Sequence, residues 1–509
     1  MRKILILTLL ATLVVGALPA QAGDGDEQQG SKQFRMFGAG FGHGLGFSQW
    51  GGFGLAKQGW GAEKIVKHYY SGTRVVRTDS APNGLRIGLV QGKDSVRLNA
   101  QSAGVELRLG GPQGPLVATV PSGATWKVSV AGNEYRIVTE AGETVDTVGG
   151  PDDQLFAVYQ SLGSRVRVPE AFHTYNRGKI EFDLYDCDAG DCVMRLVLSV
   201  DPQGYLYGLG EVPSSWPMAA MKAQAIAART YAFTKAAASQ HRAVCDCALY
   251  ATANDQVYAG WDKEGGVDGD RWVSAVNQTS NKVIMEGNQT IQAFYMSSSG
   301  GFTENNENVW GGSPIGYLRG VCDPGDFTTA NPNATWVETF TTSEVTQGLG
   351  LGIGAIEGFA DEVRGVSGRI ISVTVRGANG ERSISGNTLR SALGLHDDRV
   401  WINANRLVTG PIRDKYDKLG CSPGMPMSAE VGVAGGRRQK FQDGVIYFID
   451  GAGAHELHGP VLTHYGKKGG PAGSLGFPTS DVQNLQNGNR RANFEHGVIT
   501  CDGANCSVG

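Results

Sequence analysis

From Leu85 onward the chain alternates apolar and polar residues in short bursts. LRIGLV (85–90), SVRLNA (95–100), VELRLG (105–110), WKVSVA (126–131), YRIVT (135–139) and MRLVLSV (194–200) place β-branched and aliphatic residues between Gly, Asn and Asp turns. This period-2 pattern predicts a β-rich layer over about residues 85–200. Two segments follow the helical period instead. Ile65, Val66 and Tyr69 share one side of a helix predicted over about 62–70. PMAAMKAQAIAARTYAFTKAAA (217–238) reads as a longer helix, with Pro217 suited to its first turn. Its faces are mostly alanine, which lets other elements approach closely, so this helix should be central. Residues 240–330 look loop-rich, 369–377 reads as a strand, and a short helix is expected near 386–393. The predicted fold class is α+β, a short-stranded body around a central Ala-rich helix, with a small C-terminal repeat module.

The two ends carry different patterns. Arg2 and Lys3 precede an apolar run from Ile4 to Leu18, followed by Ala20-Gln21-Ala22. That order predicts a secretory signal peptide over residues 1–22. No later stretch reaches the length of a membrane helix, so no membrane span is expected after signal removal. At the other end KYDKLG (415–420) echoes HYGKKG (464–469), and FQDGVIY (441–447) echoes FEHGVIT (494–500). Two copies of one unit are therefore expected over 413–509, after a main body over 23–412. As an alternative to binding, such a pair could serve as a stabilising cap.

Composition narrows the function. Glycine supplies 75 of 509 residues, which suits turns and close backbone contacts. The formal net charge is −4 and no basic run appears, so nucleic acid is an unexpected partner, whereas a neutral carbohydrate needs no strong field. Eight cysteines in an exported chain favour disulfides. Cys187/Cys192 and Cys501/Cys506 look like local hairpin staples; Cys245, Cys247, Cys322 and Cys421 stay unassigned.

Three segments hold candidate chemistry. In YGLGEVPSSWP (207–217), Glu211 stands in an uncharged stretch just before the Ala-rich helix. Burial would raise its pKa, and a nearby helix N-terminus would lower it. It is either an acid/base or a helix-proximal cap or ion-pair partner, to Lys222 or Arg229. In FGAGFGHGLGFSQWGG (37–52), Gly38, Gly40, Gly42, Gly44 and Gly46 would share one face of an extended chain, admitting a backbone or ligand. His43, Ser48, Gln49 and Trp50 offer hydrogen bonds and a flat ring to a sugar; tight sheet packing is the other reading. In AFYMSSSGGFTENNENVWGG (293–312), Ser297, Ser298, Ser299, Glu304 and Trp310 are candidates to line a substrate. A serine nucleophile is not favoured, for the segment lacks a G-x-S-x-G elbow. His241, Cys245 and Cys247 in HRAVCDC could give zinc three ligands, or the cysteines could form disulfides.

Taken together, GHGLGFSQWGG, KAQAIAARTYA with its upstream Glu211, and SSSGGFTE resemble the SpoIID/LytB family over about residues 37–405. The GHG segment stands near the start here, where many members carry it late. LGFPTSD (475–481) resembles the LGFP repeat of exported actinobacterial proteins. The resemblance implies a secreted, cell-wall-associated protein acting on peptidoglycan glycan strands. Glu211 would be the catalytic residue of a lytic transglycosylase cutting between N-acetylmuramic acid and N-acetylglucosamine. The alternative it implies is a non-catalytic enhancer that works with a cell-wall amidase, or a wall-anchored scaffold. Some relatives bind zinc near HRAVCDC; otherwise no cofactor is expected. Asp255, Glu304 and Glu307 are candidates for the second acid that hydrolysis would need.

Overall fold

The computed structural model describes residues 32–509, apart from 160–162, 189 and 487. The predicted signal segment 1–22 lies outside the described residues. The class is α+β and rich in short sheets.

The alternating bursts become two sheets. A seven-stranded sheet runs in the order Leu249–Tyr250, Leu85–Lys93, Val193–Val200, Lys179–Tyr185, Leu155–Tyr159, Val105–Leu109, Leu116–Val120. A six-stranded sheet orders Thr144–Val148, Glu134–Val138, Thr125–Ala131, Ser95–Ala100, Val166–Val168, His173–Tyr175. Leu107, Phe182 and Leu196 of the first and Leu98, Val128 and Ile137 of the second are buried in one core. Strands such as Ser95–Ala100 alternate, sending every second side chain to the shared interior, whereas the central strand Lys179–Tyr185 is buried continuously from Ile180 to Leu184.

The Ala-rich helix is Met218–Ala238, entered through Pro217. Residues Ala223 to Phe233 are buried without interruption, so no face is left to solvent. A helix apolar all round belongs in a core, and this one packs on the helices Gln49–Lys57, Ala62–Tyr69 and Gly269–Gln278. Its buried Arg229 donates to the Val276 and Lys282 carbonyls, closing the end of the neighbouring helix. The 240–330 stretch holds more regular structure than its composition suggests. Trp272, Ala275 and Val276 give the helix Gly269–Gln278 an apolar side, and the Trp272 indole donates to the Leu206 carbonyl at 2.8 Å.

A second core gathers Phe34, Met36, Trp336, Val345, Val373, Leu389 and Val400. It joins the strand Gln33–Gly38, held between Trp336–Thr341 and Val400–Ile402, to the three-stranded sheet formed by Ile356–Arg364, Ile370–Gly377 and Gly380–Ser385. The C-terminal region repeats a helix followed by a four-stranded sheet: Gly410–Lys418 precedes the strands between Val431 and Leu457, and Gly459–Lys467 those between Gln483 and Val508. Cys322–Cys421 ties this region to the body, while Cys187–Cys192 and Cys501–Cys506 close local loops. Among the described residues no helix is long and apolar enough to cross a membrane.

Candidate functional site

Two distant segments meet through a short parallel ladder. Phe47–Ser48 pairs with Tyr295–Met296, in register Phe47 to Tyr295 and Ser48 to Met296. Phe41 and Ser298 exchange backbone hydrogen bonds at 2.9 and 3.1 Å, and the Trp50 amide donates to the Ser297 carbonyl at 2.9 Å. The glycine run between these contacts is not the extended one-faced strand its spacing suggests. Gly42 and Gly46 have φ of 142° and 69°, a region other residues rarely adopt. A Cβ on Gly42 would lie 2.5 Å from Met296 Cβ, and one on Gly46 would lie 2.2 Å from the Phe294 carbonyl oxygen. The close approach is real, but its partner is the 294–298 backbone and side chains.

Glu211 emerges from an antiparallel bridge between Leu209 and Tyr258. The Gly210 amide donates to the Val257 carbonyl at 2.8 Å, and the Val257 amide returns a bond to Glu211 Oε1 at 2.7 Å. Gln49 Nε2 donates to Glu211 Oε2 at 3.2 Å. The Tyr295 hydroxyl also bonds this carboxylate. Tyr295 is itself oriented: its oxygen accepts from Gln256 Nε2 at 2.9 Å, and Gln256 Oε1 accepts from the Tyr205 hydroxyl at 2.9 Å. The Tyr295 proton is thereby left for Glu211. Burial raises the Glu211 pKa above its ordinary value, outweighing the Val257, Tyr295 and Gln49 donors that favour the anion. Arg229 points elsewhere, into carbonyls of its own core. Lys263 donates to the Val212 carbonyl, and Arg271 to those of Ser214 and Trp216, which pins the loop after Glu211.

Glu211 lies where two clefts meet. One, of about 380 Å³, is lined by Phe41, His43, Gln49, Tyr295, Ser297 and Arg390 beside Glu211. The other, of about 450 Å³, is lined by Val212, Ser214, Lys263 and Asp268. A third, of about 240 Å³, shares His43, Asp255 and Tyr295 with the first and continues to Trp310. Trp310 is 53% exposed, with its ring 5.1 Å from His43 and 4.7 Å from Phe294. Phe41, 42% exposed, stacks on His396 at 5.0 Å. His43 Nδ1 accepts from the Leu45 amide at 3.0 Å, so Nε2 carries the hydrogen directed at the Tyr295 carbonyl. Burial holds its pKa down to about 4, and the ring is neutral.

The structure thus brings His43, Gln49, Ser297, Trp310 and Glu211 to the clefts, and withholds the other expected residues. Ser48 and Ser298 donate to Asp326 at 2.9 and 2.8 Å, and Ser299 donates to Asp323 at 2.7 Å; all three serines are fully buried. Their hydroxyls satisfy two interior carboxylates instead of a substrate. Glu304 is also buried and accepts from Ser367 Oγ at 2.5 Å and from the Asn305, Val366 and Ser367 amides. Trp50 is half-buried and packs on Trp216 and Phe53, at 4.7 and 5.3 Å, against the edge of the core. The expectation that Ser48, Ser298, Ser299, Glu304 and Trp50 line a ligand is corrected accordingly.

The second-acid candidates are committed as well. Asp255 accepts from Tyr231 at 2.8 Å, Arg242 at 2.6 Å and the Tyr250 amide at 2.9 Å, and these bonds lower its pKa in spite of burial. Arg319 holds Glu307 at 2.9 Å. The zinc trio does not fit a metal. Cys245 and Cys247 are joined in a disulfide, so neither offers the thiolate zinc requires, and His241 Nδ1 faces Asp246 at 2.6 Å. Cys322 and Cys421, grouped with Asp417, are likewise oxidised. Sequence reasoning missed Tyr295, Arg390, Phe41 and the Val257 amide. Tyr295 sits inside a motif already singled out, but a backbone donor leaves no trace in residue type.

The fold and site define a β-rich α+β protein with one shielded carboxyl at the junction of open clefts. Within that description the chain carries a SpoIID domain and an LGFP repeat: the family model described as Stage II sporulation protein matches residues 193–285, and the LGFP repeat model matches 424–473. The string LGFP itself, at 475–478, follows that second match. The chain is 34% identical to the amidase enhancer of Bacillus subtilis (strain 168) over 135 residues, 26% of this chain and 16% of that protein. It is 29% identical to stage II sporulation protein D of the same organism over 242 residues, 44% of this chain and 67% of the relative. With the Bacillus amyloliquefaciens stage II sporulation protein D it shares 28% over 216 residues, 40% and 61% of the two chains. It therefore spans about a sixth of the amidase enhancer and about two thirds of the sporulation proteins.

Proposed function

We propose that this protein is exported, associates with the cell wall and cleaves peptidoglycan glycan strands as a lytic transglycosylase, with Glu211 as the catalytic acid and base. The observation that carries the reading is the placement of Glu211: a carboxyl with a raised pKa, open to two clefts, while Asp255 is held as an anion by its own partners. A protonated Glu211 donates to the glycosidic oxygen as the bond to the muramic acid C1 breaks. The resulting carboxylate then takes the proton of the muramic acid 6-hydroxyl as that oxygen closes on C1, giving a 1,6-anhydro ring and restoring the acid. No water is consumed and no second carboxylate is required, unlike paired-carboxylate hydrolysis. Val257, Tyr295 and Gln49 hold the group in place and stabilise it while it is charged.

Support for a wall setting comes from the SpoIID and LGFP matches and from the predicted signal segment. A second reading, an amidase enhancer that binds glycan without cutting it, draws on the similarity to the Bacillus subtilis protein of that name. Mass spectrometry of purified peptidoglycan, intact and stripped of stem peptides, separates the readings. Products ending in 1,6-anhydromuramic acid support the proposal. Reducing ends with added water would move the second-carboxylate role to Asp262 or Asp268 in the adjoining cleft. Binding without products would favour the enhancer.

A further inference from the structure

Arg390 stands apart from the other cations near Glu211. It lies in the last turn of the helix Gly386–Leu393, which belongs to the second core and falls outside the SpoIID match. It lines the cleft that holds His43, Gln49 and Glu211. The remaining cations are engaged: Lys235 pairs with Asp255 at 3.3 Å, Arg242 with the same carboxylate at 2.6 Å, and Lys263 with the Val212 carbonyl. Asp397 and Asp398, which follow the Arg390 helix, both pair with Arg369, at 2.9 and 3.4 Å. No hydrogen bond or ion pair within the described residues takes up the Arg390 guanidinium. His43 is neutral and the Asp255 anion is balanced by Lys235 and Arg242, which leaves Arg390, whose charge also acts on buried Asp398, as the positive group lining this cleft.

We propose that Arg390 binds a carboxylate carried by the sugar on one side of the scissile bond, and so fixes the direction in which the strand crosses Glu211. A planar guanidinium suits a carboxylate, which it can grip through two parallel bonds. In an alternating glycan, muramic acid is the sugar with an acidic substituent. It would occupy the Phe41–His43–Arg390 cleft, leaving N-acetylglucosamine to the cleft of Lys263 and Asp268. That order places the muramic acid 6-hydroxyl on the correct side of Glu211. The carboxylate is either the lactyl group of a stripped sugar or one borne by a stem peptide. The inference rests on the glycan-strand reading above.

Its test is a binding measurement that does not depend on turnover. In the mature chain carrying Glu211→Gln, calorimetry would compare three tetrasaccharides of alternating N-acetylglucosamine and N-acetylmuramic acid. One has free lactyl carboxylates, one has them as neutral methylamides, and one bears stem peptides. Adding Arg390→Gln should weaken binding of the carboxylate-bearing sugar about tenfold, leave the methylamide unchanged, and be partly rescued by Arg390→Lys. An Arg390-dependent loss confined to the free lactyl sugar assigns the anion to the lactyl group, and one confined to the peptide-bearing sugar assigns it to the stem; either supports the inference. Equal affinity for acid and methylamide, or equal weakening of both by Arg390→Gln, overturns it while leaving the glycan reading intact. Failure of every oligosaccharide to bind the Arg390-intact protein overturns both. Loss of anhydro products from the unaltered chain, with binding retained, sinks only the cleavage reading.

Discussion

Gln49 Nε2 donates to Glu211 Oε2 across 3.2 Å, joining residues 162 positions apart. The bond explains why a GFSQ segment near the start of the chain and a glutamate before the Ala-rich helix belong to one site. Because Gln49 stabilises the anion, its removal must raise the Glu211 pKa further. In Gln49→Leu the alkaline limb of the cleavage-versus-pH profile should move upward by about half a unit to one unit. A limb that stays in place or moves down would show that Gln49 does not act on the titrating group.

The two tryptophans singled out by sequence should separate cleanly. Trp310 is exposed over the third cleft, whereas Trp50 packs against Trp216. Trp310→Ala should weaken glycan binding by about 1 kcal/mol, roughly fivefold, with the unfolding temperature unchanged. Trp50→Ala should cost about 2–3 kcal/mol of stability through the cavity it leaves. Calorimetry and thermal melts on both variants check this, and a reversed pattern would misplace the binding surface.

Asp323 and Asp326 are buried side by side; Asp326 accepts from the Ser48 and Ser298 hydroxyls, and Asp323 from those of Ser299 and Tyr69. Burial raises both pKa values, and for Asp326 the neighbouring charge of Asp323 adds to it. A carboxyl whose folded pKa is raised holds its proton after the unfolded chain has lost it. Stability from this pair is therefore full below about pH 4 and declines as pH climbs from there toward the raised values. Asp326→Asn keeps the carbonyl acceptor and removes one titration. Relative to the unaltered protein, its unfolding temperature should improve steadily between pH 4 and pH 8. A constant difference across that range would mean the pair is not protonated in the fold.

Cys322–Cys421 spans 99 positions and joins the SSSGG region to the helix–sheet repeats. In a chain-entropy account, closing a loop of that length stabilises by about 4–5 kcal/mol. Replacing both cysteines with serine should lower the denaturation midpoint accordingly. It should also raise hydrogen exchange around Phe302, Ile412 and Tyr416, which pack beside the bridge. Unchanged exchange there would show that packing alone holds the repeats in place.

What was legible beforehand followed local pattern. The helix at Gly386–Leu393 and the strands beginning at Leu85 and Ser95 announce themselves through period and turn residues. Glu211 was visible as a lone charge before a small-residue helix. The serines misled because a hydroxyl serves a substrate and a buried carboxylate equally well. What decides between them is Asp323 and Asp326, which lie more than twenty residues downstream of Ser298 and Ser299. The zinc trio failed for a similar reason, since residue type does not reveal whether Cys245 and Cys247 are thiolates or a disulfide. Arg390 gave no signal, because the helix that carries it reaches the cleft only through a second core built on Phe34, Met36 and Val400.

The central claim is that a single carboxyl performs the chemistry. The direct measurement is the release of 1,6-anhydromuramic acid ends from stripped glycan strands by the unaltered protein and by Glu211→Gln. The amide preserves shape and can still accept from Val257, but it neither donates nor takes the proton. The account predicts anhydro products from the unaltered protein, at least a thousandfold fewer from the variant on the order expected for loss of an acid/base group, and undiminished glycan binding. Anhydro products at comparable rates from both proteins would contradict it.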